Sequence, residues 1–217
     1  MATEPAAQTM AGATSTEAVE DRAAFHLLGH PLPALIDLKS TSGGTVDLFT
    51  LSLSRPVMLF LYPRTGVPGQ APPAGWDAVA GATGCTPHMT AVASHLPTLL
   101  AKEPELKVFG LAINPPDYQA EAKERLKLPF DLLSDSELQL TKALDIPTFQ
   151  LNGQSYFKRM TLLLRGGQIT RLDYPIPRPD QAASRAMQLL RSEQELMDEV
   201  EARDAATAAT ANTNSTT

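Results

Sequence analysis

The chain has 217 residues, 43% of them apolar and 19% charged, enough to bury a core without disulfide or metal staples. With 18 Lys and Arg against 24 Asp and Glu, its net charge of −6 argues against a phosphate-backbone binder, which needs a basic stripe. The longest apolar run, Val57–Tyr62, falls far short of the roughly 20 residues of a membrane span. Cys85 is the only cysteine, which excludes an intrachain disulfide framework.

Met1–Gln8 shows no basic start followed by an apolar stretch, so a cytoplasmic location is the expectation. Residues 1–23 and 204–217 are rich in Ala, Thr and Asn or Glu without helical or strand period, and read as disordered or weakly ordered tails. One domain over 24–203 is the simplest account of the remainder. Ala34–Leu38 and Val46–Leu48 flank Ser42-Gly43-Gly44 as two short strands around a turn. Pro56–Tyr62 and Leu106–Asn114 are continuous apolar runs, as expected of strands covered on both faces. Met160–Leu164 reads as a third buried strand, with Gln168–Leu172 returning after Gly166-Gly167.

Helical periods fall between these strands. Met89, Val92, Ala93, Leu96, Leu99 and Leu100 mark one helix face, with Pro97 expected to kink or shorten it. Pro115–Leu126 reads as a helix with Asn114 as its N-cap, Ser136–Leu144 as a shorter one, and Asp180–Ala202 as a long one carrying Met187, Leu190 and Leu196. Strands alternating with helices of this length predict an α/β layer fold.

Cys85 lies between Gly84 and Thr86-Pro87, immediately before the helix of Met89–Leu100. Unpaired backbone N–H groups and the positive end of the helix dipole at such a place favour a thiolate over a thiol. The competing reading is a small buried hydrophobe. His88 sits about one turn further on and reads as a solvated first-turn residue rather than a partner of the sulfur. Asp131, Asp135 and Glu137 read as residues that cap and charge a helix start. His26, His30, His88 and His95 lack metal-ligand spacing.

The segments Leu59–Gly66 and Gly81–His88 resemble the strand, loop and helix start of peroxiredoxins, especially the Q-type (bacterioferritin-comigratory) branch. Gly44–Leu48, Leu106–Leu111, Leu128–Asp135 and Lys158–Leu164 agree in order, so that the resemblance spans Leu27–Leu172. It implies a thioredoxin-like fold with a central mixed sheet flanked by helices, and cysteine-dependent reduction of hydrogen peroxide or organic hydroperoxides. No metal, flavin or nucleotide is implied. By motif, Cys85 matches the peroxidatic cysteine, Arg159 the arginine beside it, and Pro63 the proline that opens the loop.

Two departures stand out. Pro63 and Cys85 are 22 positions apart, whereas the family loop spans seven, and Ala82 occupies the place of the loop threonine. Thr65, in the segment continuing the strand, is preferred over Thr83 as the source of the missing hydroxyl. The inserted loop, about residues 67–80, is rich in Pro and Gly, and its Trp76 reads as an anchor to the core. The second Cys common in Q-type relatives is replaced by Thr90. A sulfenate at Cys85 then needs an external thiol of the thioredoxin, glutaredoxin or glutathione type, or Cys85 of another chain in a homodimer. The alternative is a catalytically weak thioredoxin-like interaction protein or a redox sensor.

Overall fold

The computed structural model describes residues 21–203, apart from 193, 196 and 199. The expected tails, but for residues 21–23 of the first, lie outside the described residues, as does Leu196. The chain is already tied down at Asp21, whose carboxylate accepts from Lys158 Nζ (2.8 Å) and from Tyr174 Oη (2.5 Å). The first buried residue after these contacts is Ala24. Those two donors, Lys158 first, hold the Asp21 carboxyl down at about 2.

Among the described residues nine strands follow in chain order: β1 (Asp37–Ser40), β2 (Thr45–Asp47), β3 (Val57–Leu61), β4 (Lys107–Ala112), β5 (Asp131–Ser134), β6 (Thr148–Leu151), β7 (Gln154–Phe157), β8 (Met160–Arg165) and β9 (Gln168–Asp173). The helices are α1 (Leu48–Ser54), α2 (Cys85–Lys102), α3 (Pro116–Leu126), α4 (Gln139–Leu144) and α5 (Ala182–Leu189). Seven strands form one mixed sheet in the order β2-β1-β5-β4-β3-β8-β9, with β3, β4 and β5 parallel and the other pairings antiparallel. This is the expected α/β thioredoxin-like architecture.

β3 shows why the sheet lies in the middle. All five of its residues are buried, and successive side chains point to opposite faces. Val57, Leu59 and Leu61 join a core with Leu48 of α1 and with Leu140 and Leu144 of α4. Met58 and Phe60 join a second core with Met89, Val92 and Leu99 of α2, Ala122 of α3, and Ala183 and Ala186 of α5. A strand covered on both faces is uniformly apolar, which is how the sequence reads there.

Several elements differ from expectation for local reasons. The strand expected over Ala34–Leu38 begins only at Asp37. The Asp47 carboxylate accepts from the Leu35 amide (2.9 Å) and from the Thr50 amide (3.2 Å), holding Leu35 in a turn while capping the unanticipated α1. Pro97 does not shorten α2, which is helical from Cys85 to Lys102, with Val92 and Leu99 anchored in the core on either side of it. Asn114 does not cap α3, whose N-cap is Pro115. The long helix expected over Asp180–Ala202 is broken after Leu189 because Ser192 and Glu195 form a reciprocal capping box (Glu195 N to Ser192 Oγ 3.1 Å; Ser192 N to Glu195 Oε2 2.7 Å) that starts a new segment. Asp135 does serve a helix start, accepting from the Leu140 and Thr141 amides of α4, whose N-cap is Leu138, whereas Asp131 opens β5 instead.

The inserted loop and the β6–β7 hairpin build a third, smaller core. Trp76 is 6% exposed, packs edge-on to Tyr156 at 5.0 Å and lies 5.9 Å from Phe149, with Ala82 buried beside them. It anchors the loop, though to the β6–β7 hairpin rather than to the main core. Trp76→Ala is expected to cost about 3 kcal/mol, the usual range for a buried aromatic. Limited proteolysis should then cut between residues 66 and 84 first, while the far-ultraviolet circular dichroism of the main sheet stays unchanged.

Candidate active site

The end of β3 and the start of α2 meet where the sheet's parallel strands finish, the usual place for reactive groups in an α/β layer. Pro63 is buried just past β3 and is absent from the pocket wall. The backbone N–H of Arg64 donates to Cys85 Sγ at 3.3 Å. That amide is held in place by Tyr118 of α3. Its hydroxyl donates to the Thr65 carbonyl and accepts from Arg64 Nε (2.8 Å), while the Arg64 guanidinium lies 5.2 Å from the Tyr118 ring.

Cys85 is the first residue of α2 and is 3% exposed. Its N-cap Gly84 has φ +86°, and a Cβ there would meet Pro179 Cγ at 2.7 Å. Both the left-handed backbone and the close approach thus require glycine.

Arg159, in the link between β7 and β8, reaches the same point from the other side. It is 3% exposed, and its Nη2 lies 3.3 Å from Cys85 Sγ, 2.8 Å from the Thr83 carbonyl and 3.2 Å from the Gly81 carbonyl. Its Nη1 donates to His88 Nδ1 at 2.6 Å. Among the described residues no carboxylate pairs with this guanidinium. The sulfur is therefore the one group touching it that can take a full negative charge. In the thiol form Cys85 has an alternative, a 3.5 Å contact to the Ala82 carbonyl. In the thiolate form it receives two N–H donors, one from a cation, and such charge-assisted bonds are the stronger ones.

The sulfur opens onto a pocket of about 270 Å3 walled by Arg64, Thr65, Val67, Pro72, Trp76 and Ala82 among others. Thr65 is fully buried, and its hydroxyl has no partner among the described residues. Thr83 also lines the pocket, but its side chain is exposed and its carbonyl is taken by Arg159. The structure thus brings Cys85, Arg159 and Thr65 together. Behind them Tyr62 donates to Gln119 Oε1 at 2.6 Å, and burial, reinforced by negative charge at Cys85, pushes its phenol far above the ordinary range.

His88 overturns the sequence reading. It is fully buried against Phe60 and Tyr62 rather than solvated. Cys85, His88, Met89, Val92 and Leu99 form the buried stripe of α2, so the spacing that picked out Met89 also contained His88. Tyr118 had no such local signal, because it acts across 53 residues. Among the described residues no cluster of His, Cys, Asp or Glu could hold a metal ion, and no helix is long and apolar enough to cross a membrane.

A mixed sheet of this topology, with a cysteine opening the helix after β3 and a buried arginine facing it, defines a thioredoxin-like thiol protein. The Redoxin family model matches residues 27–190, and the chain belongs to that family. No curated protein sequence matches it. Among solved structures, the peroxidoxin BcpB of Mycobacterium tuberculosis superposes with a TM-score of 0.59 at 22% identity, covering 76% of this chain and 98% of that one. Reduced Prx3 of Vibrio vulnificus in complex with H2O2 gives 0.58 at 19% identity, over 76% and 98%. Peroxiredoxin Q of Xanthomonas campestris gives 0.56 at 18%, over 73% and 94%. These likenesses show the shared fold.

Burial and the neighbouring guanidinium hold His88 well below its ordinary value of 6.5, so it is neutral in the fold. The unfolded chain binds a proton there below about pH 6.5 and the folded chain does not, so stability falls as the pH drops through that range. The urea midpoint is expected to be lower at pH 5.5 than at pH 7.5, and His88→Asn should shrink that difference.

Proposed function

We propose that the chain is a one-cysteine thiol peroxidase, with Cys85 as nucleophile. The observation that carries this reading is the buried Arg159 guanidinium, 3.3 Å from Cys85 Sγ and paired with no carboxylate among the described residues. An unpaired buried cation is costly, and ionising the adjacent sulfur relieves that cost.

The thiolate attacks one oxygen of a hydroperoxide. The S–O bond forms as the O–O bond breaks, and the leaving oxygen departs as hydroxide or alkoxide and takes a proton from solvent. Arg159 Nη2 and the Arg64 amide already converge on the sulfur, where donors are placed to stabilise the charge as it moves to the leaving oxygen. The Thr65 hydroxyl, without a partner among the described residues, would bond a peroxide oxygen. The loop wall of Val67, Pro72 and Trp76 leaves room for an organic substituent as well as for hydrogen peroxide. An external thiol then displaces water from the sulfenic acid to give a mixed disulfide, and a second thiol releases Cys85.

Peroxide consumption with a thiol donor tests the reading. Cys85→Ser is expected to abolish it, and Arg159→Gln to lower kcat/KM by about two to three orders of magnitude, the usual loss for a transition-state donor. Equal consumption by Cys85→Ser and the parent chain would overturn the assignment.

At 3% exposure, Cys85 admits a small peroxide more readily than a bulky thiol. Stopped-flow mixing is expected to show a burst of about one peroxide per chain followed by a slower steady state set by the thiol.

A further inference from the structure

We propose that the end of the sheet remote from Cys85 binds a free aliphatic monocarboxylate, its tail in an apolar trough and its head group on Lys107.

Cys85 lies where the parallel strands finish, whereas the trough opens where they start. Lys107 and Phe109 line it from the beginning of β4, and Phe130 and Asp131 from the beginning of β5. Leu96 of α2 also lines it, eleven residues along the helix from Cys85, roughly 16 Å at the helical rise. The volume is about 690 Å3, inside the range of small-molecule sites, and no lining residue is shared with the pocket of Cys85.

The trough exists because the two cores part at this end of the sheet. Val46, Leu51 and Phe109 belong with the core on the α1 side, and Leu96, Leu100 and Phe130 with the core on the α2 side. Val46, Leu51, Leu96 and Leu100 are only partly buried, so apolar surface is left facing water, and covering it with hydrocarbon is favourable. β4 is paired on both edges, by β3 and by β5, and so offers no backbone donor or acceptor to an extended peptide. A hydrocarbon tail needs none.

Charge selects the head group. Three charged side chains line the trough: Asp47, Lys107 and Asp131. The Asp47 carboxylate already accepts from the Leu35 and Thr50 amides, and that of Asp131 from Thr41 Oγ1 (3.2 Å) and Lys123 Nζ. Lys107 is exposed and has no ion pair or side-chain hydrogen bond among the described residues, while its amide is fixed on the Pro56 carbonyl at 2.9 Å. Its ammonium is thus available to a carboxylate at the edge of the trough, whereas a cationic amphiphile would find both acids engaged.

Isothermal titration calorimetry of the full chain with octanoate, decanoate and dodecanoate, below their micelle concentrations, tests the site. Binding of about one acid per chain is expected, tightening about fourfold per added methylene until the trough is full. Lys107→Met is expected to weaken decanoate about threefold and Lys107→Glu about tenfold, with smaller differences in high salt. Octanol, which lacks the charge, should bind the parent and both variants alike. Thr50→Trp, at the exposed rim, should abolish uptake by filling the trough; should that variant not fold, the Lys107 pair decides alone. Decanoate bound equally by the parent and Lys107→Glu would overturn the proposal. So would decanoate that protects Cys85 from alkylation by iodoacetamide, because the acid would then sit beside the sulfur. Absence of saturable uptake of all three acids would overturn it as well: a dimer split by Thr50→Trp would then assign the trough to a second copy, and retention on phosphatidylcholine vesicles would assign it to a lipid surface.

Discussion

A guanidinium buried to 3% exposure, with no carboxylate beside it among the described residues, is the constraint around which this structure is organised. Leaving such a charge in a low-dielectric interior is expensive, and replacing water around it takes fixed acceptors. The chain supplies two carbonyls from the loop before α2, an imidazole nitrogen from the first turn of α2, and the sulfur itself. Each comes from the same short stretch, Gly81–His88, so one side chain from the β7–β8 link organises the whole helix entrance. The conformation of that stretch and the burial of the Arg159 charge are two aspects of one electrostatic problem.

The inserted loop is part of the same solution. Its Trp76 leans on Phe149 and Tyr156, residues of a hairpin outside the main sheet. The hairpin ends at Phe157, two residues before Arg159. Loop and hairpin thus brace both partners of the sulfur–guanidinium contact from one side, while Tyr118 braces the Arg64 amide from the other. A long Pro- and Gly-rich segment behaves here as a wall, because its one large aromatic is buried.

Much of this could be read from the residues. Val57–Leu61 declared a strand covered on both faces, and the order of motifs from Gly44 to Leu164 pointed to the fold and to Cys85 and Arg159 together. What escaped was either short or distant. The α1 helix of seven residues depends on the Asp47 carboxylate, which reads equally well as part of a turn. The β6–β7 hairpin carried an Asn152-Gly153 pair, a usable turn signal overshadowed by the stronger apolar runs around it. His88 was misread because a polar ring near a helix start is ordinarily wet, and nothing local shows that Arg159, 71 residues later, will cover it. Thr65 was legible only as a preference for the segment continuing β3; its buried, unpartnered hydroxyl is a property of the folded pocket.

The contact between Gly84 and Pro179 ties the entrance of α2 to the beginning of the C-terminal helical region. The glycine that precedes Cys85 is thus packed on a residue that leaves the ribosome 94 positions after that cysteine. A nascent chain carries Cys85 on an unfinished helix start until that late proline arrives, so the packing of this entrance waits on a distant part of the described fold.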